Sequence, residues 1–422
     1  MAEFARRYSV WLIAIALIFL LPWLLPGGAA RTVLSQIGVA IVFALAFNML
    51  LGQGGMLSFG HAIYFGLAGF SVVHIIEAMS DDPWITIPIS LLPLVGGLVG
   101  LIFGLAVGYV STRRAGTIFA MISLGFGELV SAMVLIVVAF FGGEEGIQTN
   151  RAYETEFFGL VDWTKDIHVY YLIAFWGLIA VAAMYAITKT PLGRISNAVR
   201  DNPERVAFVG YNTQHVRWFV FAISGFFAGL AGALHSISFE QAGFEMVGLE
   251  RSGAVLFMAY IGGAGHFAGP VIGAVTITGL EKLITDVSKA WPVYIGLFFM
   301  AVVMFSRGGI AGVIQIHERI WRIEWRLMKT LFRPYAKAVG ATIVAIIGAI
   351  GIVELTHAVT SEEAISTAIT LFWIPFDAAD VIPWLMSLAI LGGGIYLCRL
   401  TYPGAKDSYG EAMKRATEKV LG

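Results

Sequence analysis

Glu128 is a carboxylate set about ten residues into an apolar run, residues 118–141. At 1.5 Å per residue that lies close to the middle of a ~30 Å hydrocarbon layer. A charged carboxylate at that depth costs at least about 2.5–3.5 kcal/mol, so it requires a counterpart. The options are a substrate ammonium group, an Arg or His partner, or a neutral, hydrogen-bonded form; the sequence leaves all three open. Asn48, Ser58, His61, His235 and Glu240 are further polar groups in apolar surroundings. Lone histidines in apolar helices, such as His74 and His357, read as satisfied structural residues.

Asn48, Ser58 and His61 belong to a glycine-rich interruption, FNMLLGQGGMLSFGHAIYFGLAGF (47–70), with Gly52, Gly54, Gly55, Gly60, Gly66 and Gly69. A second, MAYIGGAGHFAGPVIGA (258–274), holds Gly262, Gly263, Gly265 and Gly269 before Pro270. Lipid cannot satisfy free backbone N–H and C=O groups, so unwound chain at membrane depth must lie inside protein or beside a wet cavity. Broken helices in corresponding halves point to a transport path. The competing reading is that glycines let helices pack closely. That reading suits Gly66 and Gly69; a functional break suits Gly52–Gly60, where Gln53, Ser58 and His61 are interleaved.

Nothing in the sequence assembles an enzyme. There is no GxxxxGK[ST] phosphate loop, HExxH helix, CxxC pair or GxSxG elbow. The single cysteine, Cys398, excludes an internal disulfide and any multi-cysteine metal or redox site. No metal site and no cofactor is expected.

The elements that carry these groups are membrane helices. Of 422 residues 58% are hydrophobic and 13% charged, about half the charged share of a soluble domain. Runs near or above 18–20 apolar residues recur along the chain, so the expected fold is an all-α polytopic membrane protein of about ten or eleven transmembrane helices. The apolar start could also be a secretory signal; with a chain equally apolar throughout, a first membrane helix is the simpler reading. A formal net charge of −1 argues against nucleic acid as a partner; the basic residues matter by position instead. Arg6 and Arg7, Arg113 and Arg114, and the stretches 317–329 and 406–419 are placed in the cytoplasm, and the acid-rich loops 77–84 and 142–168 outside. The N-terminus and the C-terminal tail are thus both expected to be cytoplasmic.

One polar segment stands between two greasy runs: TPLGRISNAVRDNPERVAFVGYN (190–212), flanked by Lys189 and Arg217 and so also cytoplasmic. It reads as helix, turn, helix, with Asp201 or Asn202 as cap, Pro203 and Glu204 in the new first turn, and Gly210 as the stop. Val206, Ala207 and Val209 give the second helix an apolar face. Such a helix rests on anionic lipid or fits a groove on a partner protein; its few small apolar residues favour the partner.

Here the sequence resembles the LivM-type permease subunits of branched-chain amino-acid ABC importers. Gly193, Arg194, Ala198, Val199, Arg200, Asp201 and Asn202 fit the family's G-R-x-x-x-A-V-R-[DE]-N pattern, followed by Ala207 and Gly210. The likeness continues, in order, through NMLLGQGGMLSFGHAIYFGLAGF, RRAGTIFAMISLGFGEL with GGEEGI, FAISGFFAGLAGAL, YIGGAGHFAGPVIGA and IGLFFMAVVMFSRGGIAGVI, over about residues 10–315. It departs at Ser306, where a proline is common, in the varied pattern around Tyr64, and over 331–422, which has no counterpart.

The resemblance implies the ABC importer permease fold in a bacterial cytoplasmic (inner) membrane. The implied partners are a homologous LivH-type permease, two ABC ATPase subunits and an external substrate-binding protein. Coupling to the ATPases would fall on Gly193, Arg194, Ala198, Arg200, Asp201, Asn202, Glu204 and Gly210. The substrate path and its gating would fall on Asn48, Gly52, Gly55, Ser58, Gly60, His61, Glu128, Gly262, Gly263 and Gly265. Branched-chain amino acids are the implied cargo, with amides or urea and aromatic acids handled by relatives; an ion-coupled secondary transporter is the rival class. The chain divides into a first helix and flank (1–32), a permease core (33–315, coupling loop 189–216), a cytoplasmic basic segment (316–336), two extra membrane helices (337–400) and a tail (401–422). The extension is either peripheral or a contact for the binding protein or partner permease.

Overall fold

Hydrocarbon offers backbone amides no hydrogen-bond partner, so an apolar chain of this length must pair its own N–H and C=O groups within helices. The computed structural model describes residues 2–25, 27–81, 87–153, 155–156, 161–306, 308–360, 368–371 and 374–421. Asp82–Trp84 of the acidic turn, five residues of the loop 142–168, Arg307 and residues 372–373 lie outside the described residues, as do the side chains of Arg6 and Arg7.

The helices run α1 (Ala2–Leu24), α2 (Gly28–Asn48), α3 (Ala62–Asp81), α4 (Leu92–Ser111), α5 (Thr117–Ile136), α6 (Val138–Phe141), α7 (Asp166–Lys189), α8 (Pro191–Asp201), α9 (Pro203–Phe208) and α10 (Thr213–Phe239). They continue with α11 (Leu249–Gly262), α12 (Gly269–Thr285), α13 (Trp291–Phe305), α14 (Gly309–Ile323), α15 (Leu327–Thr360) and α16 (Val381–Leu421). Among the described residues eight are long and apolar enough to cross a membrane, or nine if α13 and α14 form one span. The expected ten or eleven exceeds this where helices are short. The apolar part of α1 covers only Trp11–Leu24, and the second glycine break divides a run into α11 and α12, of 14 and 17 residues.

Two compact units emerge, one made of residues 1–282 and 305–311, the other of 283–304 and 312–422. In the first, α10 is the central post, 83% of its apolar window being buried. Its closest neighbour is α4, which carries a glycine every fourth residue at 96, 100, 104 and 108. That spacing keeps the glycines on one helix face, so the two backbones can touch. A Cβ at Gly100 would lie 2.9 Å from Gly229 Cα, and one at Gly104 3.2 Å from Ala222 Cα. Gly66 and Gly69 of α3 are likewise packing glycines, against Val247 and Met246 and against Met246 and Ser236.

The loop 142–168 is clasped to the end of α10. The last carbonyls of a helix lack intrahelical donors and carry the negative end of its dipole. Buried Arg151 meets them, donating from Nη1 to the Ile237 (3.0 Å) and Ser238 (2.7 Å) carbonyls. Its Nε donates to the Trp163 carbonyl (2.8 Å), and its charge pairs with Asp166 (3.1 Å) and Glu240 (3.2 Å). Ile147–Gln148 pairs antiparallel with Gln241–Ala242 beside it. Thr164 donates its hydroxyl (2.6 Å) and N–H (3.0 Å) to Asp162, which holds that carboxyl below the ordinary carboxylate range.

In the second unit α15 and α16 form a hairpin of 34- and 41-residue helices. Their backbones approach at Gly348 beside Leu391 and Gly394 beside Ala345. Tyr294 donates to Glu354 (2.5 Å) and Lys419 pairs with Glu324 (2.9 Å). The basic segment 316–336 is split between the end of α14 and the start of α15, with a turn at 324–326, and the tail is continuous with α16.

Candidate functional site

Both glycine interruptions are real breaks, and the fold brings them together. After Asn48 the α-helix widens into a π-turn, Met49–Gln53, and the chain then runs without helix to residue 61. The second break, 263–268, separates α11 from α12. They meet at Gly52, where any Cβ would overlap the Ala264 carbonyl oxygen and the Asn48 amide. Gly263 has φ +110 and abuts Gly308 and Gly309, so the loop before α14 closes on the same point. Gly265 is exposed, with open space where a Cβ would stand.

The unwound backbone finds its partners in small hydroxyl side chains. Phe59 N–H donates to Ser123 Oγ (3.0 Å) of α5, and Ala62 N–H to Ser252 Oγ (3.0 Å) of α11. Gly60 lies so close to α5 that a Cβ would overlap the Ser123 carbonyl. Side-chain atoms fare less well. Asn48 Oδ1, Ser58 Oγ and His61 Nδ1 are buried without a hydrogen-bond partner, as is His266 Nδ1 in the second break. His61 is fully buried against Phe43, Phe47 and Tyr64, with its Nε2 3.5 Å from Ser224 Oγ. Each orphaned buried group costs about 1–3 kcal/mol. All four stand in or beside the two breaks.

The polar segment folds as its residues direct. Thr190 caps α8 by accepting from Gly193 N–H, and Asn202 caps α9 by accepting from Arg205 N–H (2.9 Å), with Pro203 at its first position. Gly210, at φ +95, ends α9, and Asn212 starts α10 by accepting from Gln214 and His215 N–H. The apolar face differs from expectation: Val206 turns inward onto Val199 and Val216, while Ala207, Phe208 and Val209 face out. Phe208 is 91% exposed, a large ring left uncovered. Arg194, Ala198, Asp201, Asn202 and Glu204 are exposed beside it. Gly193 is buried, because a Cβ there would overlap the Ile187 carbonyl where α8 turns off α7.

Arg200 joins this segment to the first break. It is paired with Asp201 (2.9 Å), and its Nη1 donates to the Gly52 carbonyl. Its Cγ lies where a Cβ on Gly55 (φ +64) would come within 2.7 Å. Ser196 adds a hydrogen bond from its hydroxyl to the Gln53 carbonyl (3.3 Å). A π-turn leaves carbonyls outside the regular ladder, and α8 takes two of them. The pairing of Arg200 with a break 148 residues earlier was not legible in spacing. Ser123, Ser224 and Ser252, lone hydroxyls in apolar helices, and Ser196 in the polar segment carry no spacing signal either.

Glu128 stands apart. It lies on an exposed stripe of α5 with Ile118, Met121, Gly125 and Ile136, opposite the buried face that holds Ser123 and Gly127. The Arg or His partner offered as one explanation is absent among the described residues of the chain. Glu240 pairs with Arg151, and His235 lies 3.3 Å from Arg251.

The sequence model of the family described as "Branched-chain amino acid transport system / permease component" matches residues 29–306. The match spans both breaks, Glu128 and the α8–α9 segment. The chain is 24% identical over 294 residues to the high-affinity branched-chain amino acid transport system permease protein LivM of Escherichia coli (strain K12), covering 64% of this chain and 67% of that one. It is 24% identical over 313 residues to the probable branched-chain amino acid transport permease protein LivH of Methanocaldococcus jannaschii, 69% and 91% of the two chains. A shorter likeness, 30% over 122 residues, 26% and 37% of the two chains, is to the ribose import permease protein RbsC of Haemophilus influenzae. No solved structure matches.

Proposed function

This chain belongs to the branched-chain amino acid transport permease-component family, and from that premise we propose that α8 and α9 are the handle by which separate ATPase subunits move the membrane breaks. The chain is a multi-pass permease subunit of an ABC importer and not an enzyme. Its cargo is a branched-chain amino acid delivered by an external binding protein, as the names of its relatives suggest. The polar segment lies on the cytoplasmic side, and both chain ends with it. Arg194, Asp201, Glu204 and Phe208 form the surface that an ATPase groove grips, Phe208 supplying the buried aromatic anchor such a contact needs.

The observation that carries this reading is the Arg200 hydrogen bond to the Gly52 carbonyl. It ties the exposed segment directly to the place where the two breaks meet, so a displacement of α8 pulls on unwound backbone rather than on a rigid span. ATP binding shifts the path only through its different affinity for the states with α8 in one place or the other. The exposed stripe of α5 faces the LivH-type permease across the path, with Glu128 toward the substrate ammonium group.

The test separates grip from transmission. Phe208→Ala with Glu204→Ala is expected to lower co-purification of the ATPases. Arg200→Ala is expected to leave co-purification intact and lower ATP-dependent uptake by about tenfold or more, the loss of one charge-assisted bond. Unchanged uptake by the Arg200 variant, or uptake by this chain with no ATPase present, overturns the reading.

A further inference from the structure

At the far end of the first unit from α8 lies a cavity of about 100 Å³. His235 in its wall is about 33 Å along α10 from Thr213, and Arg251 about 17 Å along α11 from Gly262, at 1.5 Å per residue. A single water needs only about 10–15 Å³ by this kind of measure, so there is space for several waters or a small organic molecule. Its polar lining is Gln36, His235, Arg251, Thr278 and Glu281, and the rest is Phe43, Phe65 and aliphatic side chains including Val39, Val255 and Met258.

Arg251, partly buried, uses its guanidinium differently from buried Arg151. Arg151 uses Nε, Nη1 and Nη2 on protein acceptors. Arg251 stacks over the Phe65 ring at 4.9 Å and sets Nη2 3.3 Å from His235 Nδ1, yet its Nε is buried without a hydrogen-bond partner. A guanidinium donates in a planar fork that fits a carboxylate bidentately. Glu281, on α12, lines the same cavity. A negative group beside the guanidinium repels a phosphate or a simple carboxylic acid and favours a ligand that carries both signs.

We propose that this cavity is a holding site for a zwitterionic α-amino acid, its carboxylate on Arg251, its ammonium group on Glu281 and its aliphatic side chain on the apolar wall. The assignment rests on the transport reading above and adds a waypoint within the permease itself, next to the breaks, since Phe43 in its wall stacks on His61. Glu128, on the exposed stripe of α5, takes no part in it.

The experiment uses the assembled permease pair with its ATPases in phosphatidylcholine nanodiscs, without binding protein, and radiolabelled L-leucine as probe. L-Leucinamide lacks the carboxylate and 4-methylpentanoate lacks the ammonium group. Leucine is expected to bind and to be displaced by neither analogue. Arg251→Gln and Glu281→Gln are each expected to weaken leucine binding about tenfold or more, and Glu281→Gln to narrow the preference for leucine over 4-methylpentanoate. If Arg251→Gln fails to assemble, Arg251→Lys and the isosteric Glu281 variant carry the test. Wild-type leucine binding in the variants overturns the site, as does binding displaced by inorganic phosphate or by added phosphatidylglycerol. ATP-dependent leucine uptake is measured on the same complexes reconstituted into sealed phosphatidylcholine liposomes, with binding protein restored. Uptake with unaltered variants removes this site alone, whereas no uptake by wild type removes the transport reading and the site with it.

Discussion

At the scale of single residues, the chain sorts its buried arginine charge by what it satisfies. Arg151 neutralises the carbonyl end of α10 and holds the loop 142–168 against it. Replacing it with Met keeps the apolar stem and removes the donor to the Trp163, Ile237 and Ser238 carbonyls and the partner of Asp166 and Glu240. The expected loss is about 2–3 kcal/mol, the range for charged hydrogen bonds with their partners left unsatisfied, read as a lower midpoint in thermal unfolding of the purified chain. A melting curve equal to wild type would remove the clasp's role. The sequence singled out polar residues and glycines one by one, without saying which of them meet. Asn48, Gly52, Gly55 and Arg200 sit together, whereas Glu240 belongs to a helix terminus and Glu128 to an exposed face. Residue type shows that a carboxylate is out of place; it does not show which way a helix is turned, because that depends on neighbours far along the chain.

Elements tell a second story, in which glycine has two jobs. Gly55 and Gly263 have positive φ and permit backbone turns closed to other residues; the glycines of α4 permit helix contact. Gly100→Leu pushes a branched side chain into the backbone of α10, where overpacking costs about 1–3 kcal/mol or more. Loss of a monodisperse peak in detergent is the expected result. Gly279 of α12 has open space around it, so Gly279→Ala is expected to be neutral or slightly stabilising, which makes it the matched control. Equal behaviour of the two variants would mean that the α4–α10 seam is looser than its backbone distances imply. Helix existence, the two breaks and the caps at Asn202 and Gly210 were legible from the sequence, since each is local chemistry. The four-residue glycine period of α4 stands in the sequence, but its role comes from the structure. That it meets Gly225 and Gly229 of α10 was not legible, for many small-residue faces compete for one partner.

For the whole molecule, the family match ends at residue 306, and the hairpin of α15 and α16 lies beyond it. Its unit nevertheless includes residues 283–304, with Tyr294 bonded to Glu354. Deleting 327–422 therefore strands a phenol on α13 rather than removing a separate piece. A lower unfolding midpoint is expected with uptake per assembled complex retained, since the breaks, the Arg200–Gly52 contact and α8–α9 are untouched; uptake lost from complexes that still assemble would give the hairpin a transport role. The link from α8 to the break ends on a main-chain oxygen, and that has a genetic consequence. Every amino acid presents the same carbonyl, so no codon at position 52 can compensate for a damaged Arg200. Revertants of such a strain have to arise where the path of the peptide itself is set, or on α8 near Ser196, the other contact to the same turn.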